Sequence, residues 1–137
     1  MRRPLAALLG AAAVALAPAC HGREAPDDAF RAFTAAVIAH RADDAWSRLT
    51  KESQEAMTAA AAKVAALSPK GSVPTDPKQL LFGEDVGLAQ PVDEIKVEDE
   101  KGAAATLEVV TGPSHHEVHM VREDGRWKLD LTDGLKL

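Results

Sequence analysis

The sequence predicts an α+β domain with its helices first and an antiparallel sheet after them, and three observations carry that prediction. Between Asp27 and Leu67 apolar residues recur at intervals of three and four, the period of helices that bury one side. Between Ser68 and Pro77 three prolines and a glycine break that pattern. From Ile95 to Leu131 apolar and polar residues alternate, the period of strands with one buried face. Helices followed by strands within about 110 residues is the pattern of a domain whose helices pack on one face of a sheet.

The elements follow in order. Phe30, Phe33, Val37 and Ile38 mark the stripe of a first helix. Pro26 with Asp27 and Asp28 suits its start, and His40-Arg41 suits its negative end. Asp43 or Asp44 opens a short second helix through Ala45, Trp46 and Leu49. Thr50 is the expected N-cap of a third helix, with Ala56, Met57, Ala60, Val64 and Leu67 on its buried face. Asp76-Pro77 caps a single turn through Leu80, Leu81 and Phe82, ended by Gly83. Four alternating runs come next: Ile95 and Val97; Ala105, Leu107 and Val109; Val118 and Met120; Trp127, Leu129 and Leu131. Glu100-Lys101-Gly102, Gly112-Pro113 and Glu123-Asp124-Gly125 separate them, so they read as an antiparallel meander. The Asp124-Gly125 pair supplies the positive φ that a two-residue hairpin turn needs.

The N-terminus has a different organisation. Arg2 and Arg3 precede an uncharged run from Leu5 to Ala17, and Pro18-Ala19 leads to Cys20, the one cysteine of the chain. A basic start, a short apolar stretch and small residues at its end form the layout of a secretory signal. The apolar run has thirteen residues, whereas a membrane-crossing helix needs about 20. A cysteine at that place resembles the lipobox of bacterial lipoproteins, with Ala17 at the position where leucine is usual and Leu16 one place earlier. The resemblance implies a signal peptide over 1–19, diacylglycerol on the Cys20 thiol, and a tether over 20–26 before a single domain over 27–137. It further implies a bacterial cell-envelope protein held by N-terminal acyl chains. His21 after the cysteine, where Asp would retain an enteric lipoprotein, points to the periplasmic face of the outer membrane.

Without residues 1–19 the chain has 118 residues, enough for one hydrophobic core. It then carries 14 basic and 21 acidic side chains, a net charge of −7. An acidic domain of this kind lacks the clustered Lys and Arg of a nucleic-acid binder, so no nucleic-acid partner is expected. With Cys20 the sole thiol, no internal disulfide can form.

The opening helix with paired Phe30 and Phe33, the turn through Arg41-Ala42-Asp43-Asp44-Ala45-Trp46, the Leu49-Thr50 helix start, and the final run from Glu123-Asp124-Gly125-Arg126 through Trp127-Lys128-Leu129-Asp130 resemble the nuclear transport factor 2-like superfamily. The small bacterial lipoproteins of that group are the most similar. Over residues 27–133 this resemblance implies helices against a curved antiparallel sheet of about four to six strands, together forming a cone. The superfamily includes isomerases, dehydratases and epoxide hydrolases, several of which use a buried acid with tyrosine donors. This chain has no tyrosine.

The residues that attract a chemical reading also have ordinary ones. His115 and His116 point to opposite faces of a strand, while His115 and His119 share a face roughly 13 Å apart. No pair of them converges as metal ligands must, so no metal is expected. Trp46 and Trp127 lie on apolar stripes and fill core, line a pocket, or do both. With His116 and Met120 they form the candidate pocket set. Asp43 and Asp44 read as helix-start carboxylates, and Asp93, Glu94, Glu98, Asp99 and Glu100 as a solvated sheet face. There is no nucleophile elbow, phosphate loop or zinc signature, so no catalytic residue and no cofactor is expected. The expected function is binding of a small apolar ligand or an envelope protein. The alternative, on fold analogy, is a small isomerase or hydrolase with His116 as donor and Asp130 or Asp93 as base.

Overall fold

The computed structural model describes residues 24–84, 86 and 90–133. The signal segment, Cys20 and most of the tether lie outside the described residues. Four helices come first: α1 (Pro26–Ile38), α2 (Ala42–Ser47), α3 (Lys51–Leu67) and α4 (Pro77–Phe82). Four strands follow: β1 (Glu94–Lys101), β2 (Ala104–Thr111), β3 (Ser114–Glu123) and β4 (Arg126–Asp130). They form an open antiparallel sheet in the order β1-β2-β3-β4. The α+β class and the order of every element thus match the sequence reading.

The turns follow the expected chemistry. Pro26 opens α1, where its missing N–H costs nothing. After Ala39 the chain leaves the helix through His40, whose φ of 54° is left-handed, and the His40 and Arg41 N–H groups close the helix end on Val37 O and Ala36 O. In the last hairpin Glu123 pairs with Arg126 across Asp124 and Gly125, at φ values of 51° and 78°. Both central residues of a two-residue type I′ turn need such positive φ.

One face of the sheet carries the core. Ala105, Leu107 and Val109 of β2, Met120 of β3, and Trp127 and Leu129 of β4 are all buried. Against them pack Ala29, Phe30 and Ala36 of α1, Ala42 and Ala45 of α2, and Phe82 of α4, with Phe33, Trp46 and Leu81 partly buried around them. Phe33 links the layers, its ring centre 6.1 Å from Phe30 and 5.8 Å from Phe82, the latter edge to face. The reverse face of the sheet presents Glu108, His115, Glu117, His119 and Lys128, as the register requires.

The α2–α3 connection covers the β4 edge. The second helix ends at Ser47, two residues short of the expected Leu49. Leu49 instead makes a parallel bridge to Leu129, with Leu129 N–H donating to Arg48 O and Thr50 N–H donating to Leu129 O. Pairing that edge satisfies backbone groups an open strand would expose. Two apolar stripes depart from expectation. On α3 only Ser53 and Ala61 are buried, while Val64 is 42% and Leu67 88% exposed. On β1, Val97 pairs with buried Leu107 and so shares the core face, yet it is 42% exposed on this edge strand of the sheet. The pairing slips only after it, with Glu98 as the extra residue, so Val97 keeps its inward register.

Candidate functional site

Two concavities bear on function. The larger is an open groove of about 530 Å³ between Trp46 of α2 and the outward side of α3. Lys51, Gln54, Glu55, Thr58, Ala59 and Ala62 line it. The short second helix, anchored by buried Ala42 and Ala45, holds Trp46 half-buried with one side against the core. Gln54 donates from Nε2 to the Trp46 carbonyl at 2.8 Å, tying the two walls. Small side chains at Ala59 and Ala62 keep the groove shallow. A partly exposed indole over a wall of methyl groups suits an apolar or aromatic guest, with Gln54 and Thr58 at hand for one or two polar contacts.

The smaller is a hollow of about 140 Å³ where β4 runs out, lined by Glu117, Val118, His119, Leu129, Asp130, Leu131 and Asp133. There His119 Nε2 lies 3.1 Å from Glu117 Oε1 and 3.8 Å from Asp133 Oδ2. Asp130 sits behind them in a hydrogen-bonded knot. Its Oδ1 accepts from the Thr132 hydroxyl at 2.6 Å and the Thr132 N–H at 2.9 Å, and meets the buried Ser53 hydroxyl at 3.5 Å. Partial burial alone would raise the Asp130 pKa; the bonds from Thr132 and Ser53, with His119 nearby, outweigh it and hold the carboxyl below its ordinary value. Ser53 Oγ also accepts from Leu131 N–H at 2.8 Å and from the Thr50 hydroxyl at 2.7 Å. Thr50 caps α3 as expected, its Oγ1 accepting from Ser53 N–H at 3.1 Å. This knot fastens the start of α3 to the end of β4. Elsewhere, the hydrogen bond and charge of Asp43, 2.9 Å away, raise the Lys78 pKa where α4 meets α2.

The four candidate pocket residues separate. Met120 and Trp127 are buried in the core, at 1% and 3% exposure. Trp46 borders that core and faces the groove. His116 is exposed; its register partner Val109 places it on the core face, but in the part of β3 that β4 does not pair. The donor–base pairing does not assemble through Asp130, which pairs with His119 on the opposite face. Asp93 is engaged as a turn acceptor, its Oδ2 taking the Gly112 N–H at 2.7 Å. His115 is bound to Glu108 at 2.8 Å. Trp127 lies under the Arg122 guanidinium at 4.6 Å, and its Nε1–H meets no acceptor among the described residues.

The sequence reading missed both the α3 wall of the groove and the knot around Ser53. Glu55, Thr58, Ala59 and Ala62 recur at helical spacing, but on the side opposite the larger apolar residues, where a solvated face was the natural expectation. The run Asp130-Leu131-Thr132-Asp133 at the strand end was the available signal for the knot.

Among the described residues no helix is long and apolar enough to cross a membrane, and no group of three or more His, Cys, Asp or Glu is arranged to hold a metal ion. No protein-family model, no curated protein and no solved structure matches this chain.

Proposed function

We propose that this chain is an envelope lipoprotein, anchored by acyl groups on Cys20, whose domain binds a small apolar ligand or a partner segment without catalysis. The groove beside Trp46 carries the binding half of the reading. It offers an accessible indole, a wall of small side chains, and an amide already fixed by its bond to the Trp46 carbonyl. The anchoring half rests on the layout that ends at Cys20. Two or more acyl chains give stable attachment where one is marginal. The acyl chains supply the anchor, because the overall net charge of −7 gives the domain as a whole no attraction to anionic lipid. The reading takes the domain as nuclear transport factor 2-like, with its helices and sheet as the cone, and the outer membrane as its place.

Two measurements test it. In a lipoprotein-processing bacterium the protein should label with palmitate and sediment with membranes, and Cys20→Ser should abolish both; a membrane-bound, unlabelled Ser variant overturns the anchor. Capture from a lipid extract, read by mass spectrometry, should recover an apolar species that Trp46→Ala loses by roughly tenfold or more. Equal recovery by both proteins would remove the groove from the account. For the enzymatic alternative, His116→Ala, His119→Ala and Asp130→Asn should leave growth complementation intact. A true acid or base contributes about 10²–10⁴-fold in rate and would show in that assay.

A further inference from the structure

The distal half of α3 and the loop after it combine an acid-free stretch with the most exposed large apolar side chain among the described residues. Residues 56–75 contain no acidic side chain, in a chain that carries 21, and Lys63 and Lys70 are their only charges. The same stretch holds Leu67, 88% exposed, and Val64, 42% exposed. The helix leaves the core after Ala61 and ends at Leu67, followed by a loop bearing Lys70 and Gly71. Apolar side chains at a tip flanked by lysines are suited to the boundary between anionic head groups and acyl chains, where the carbon is buried and the charge is matched.

The position of the tip agrees with the tether. Glu24 lies 3.9 Å from Arg48, just before the N-cap of α3, so the chain enters the domain at the opposite end of that helix. Four residues from Cys20 to Glu24 reach at most about 14 Å. The seventeen residues of α3 span about 25 Å. A helix lying along the bilayer therefore meets it at both ends, through the acyl chains at one and the Val64–Leu67 tip at the other.

We propose that the tip formed by Lys63, Val64, Leu67 and Lys70 is a second membrane contact, selective for anionic lipid, that lays the anchored domain along the bilayer. The orientation rests on the lipoprotein reading; the affinity of the tip for lipid does not. Because Leu67 is exposed, it can be replaced without disturbing the core.

The test uses the full chain with Cys20→Ser and Leu67→Cys, so that an environment-sensitive fluorophore sits at position 67 alone. With vesicles of phosphatidylglycerol and phosphatidylethanolamine the emission should shift to the blue and be quenched by lipids spin-labelled in the acyl region. Phosphatidylcholine vesicles should give a much smaller shift. Adding Lys63→Glu and Lys70→Glu should weaken the anionic-vesicle response by at least roughly tenfold. The proposal is overturned if the fluorophore stays in water while the chain floats with the vesicles. It is overturned equally if the fluorophore is already shielded in a dimer before lipid is added, or is shielded by an acidic polypeptide and not by vesicles. Palmitate labelling of the unmodified chain is a separate readout: its failure removes the anchor and leaves the fluorophore result standing, and the reverse holds.

Discussion

Helices α1 and α3 look alike in sequence and end in opposite circumstances. Each places apolar residues at intervals of three and four over three or more turns. The first buries Ala29, Phe30 and Ala36 against the sheet and stacks Phe33 between Phe30 and Phe82. The third buries Ser53 and Ala61 and leaves Val64 and Leu67 in water. Periodicity records that a helix has an apolar side; whether anything covers that side depends on where the sheet ends. Here β4 is five residues long and stops at Asp130, next to Ser53 in the first turn of α3. Beyond that point, among the described residues, α3 packs chiefly on α4 rather than on a strand.

The largest expected effect lies on the covered side of this contrast. Trp127→Ala empties the centre of the core and should cost about 3–5 kcal/mol in urea melts. Arg126→Ala, one residue away on the solvated side of the same strand, should cost under about 0.5 kcal/mol. Similar losses for the two would mean that the strand register is wrong. Next comes the junction between the regions. Ser53→Ala deprives the Leu131 N–H and the Thr50 hydroxyl of their shared partner inside the protein, and should cost about 1–3 kcal/mol. No loss would show that the knot is not what joins α3 to β4.

The same junction should be sensitive to acid. The folded-state pKa of Asp130 is lowered, so its ionised form favours the fold above the unfolded value, and that contribution is lost as pH falls through the folded value. Melting temperature should drop in acid below about pH 4, and Asp130→Asn should flatten that part of the profile. An unchanged slope would remove the carboxylate from the account of stability. The smallest effects belong to the uncovered side. Leu67→Ala and Val64→Ala should each change stability by less than about 0.5 kcal/mol, because a side chain already in water leaves no cavity when trimmed. A loss of 2 kcal/mol or more, typical of large-to-small changes in a core, would show that the distal turns of α3 are packed after all.

Much of the fold was legible because its local signals agree with one another. The change of period near Ile95, the Asp124-Gly125 turn and the Thr50 cap each act over a few residues, and the structure honours all three. The burial of Met120 and Trp127 follows from simple alternation. Features that need two distant segments were not legible. Val97 shares the core face with its partner Leu107 but is left exposed on the edge strand, and Leu49 serves as an edge bridge because β4 lies beside it. The groove needs Trp46 from one helix and Ala59 and Ala62 from the next, and small side chains give no sign in sequence that a concavity lies over them. His116 was grouped with the tryptophans because strand parity placed it on the core face. It does share that face, but lies before His119, where the pairing of β3 with β4 begins.

Hydrogen exchange measured peptide by peptide on the full chain tests the contrast between the two helices most directly. Amides of α1 from Phe30 to Val37 should open only with the whole domain, whereas those of α3 from Val64 to Leu67 should exchange through local opening at far lower free energy. Protection in distal α3 equal to that in α1 would contradict the account, since it would require those turns to be held by packing that their exposed side chains do not make.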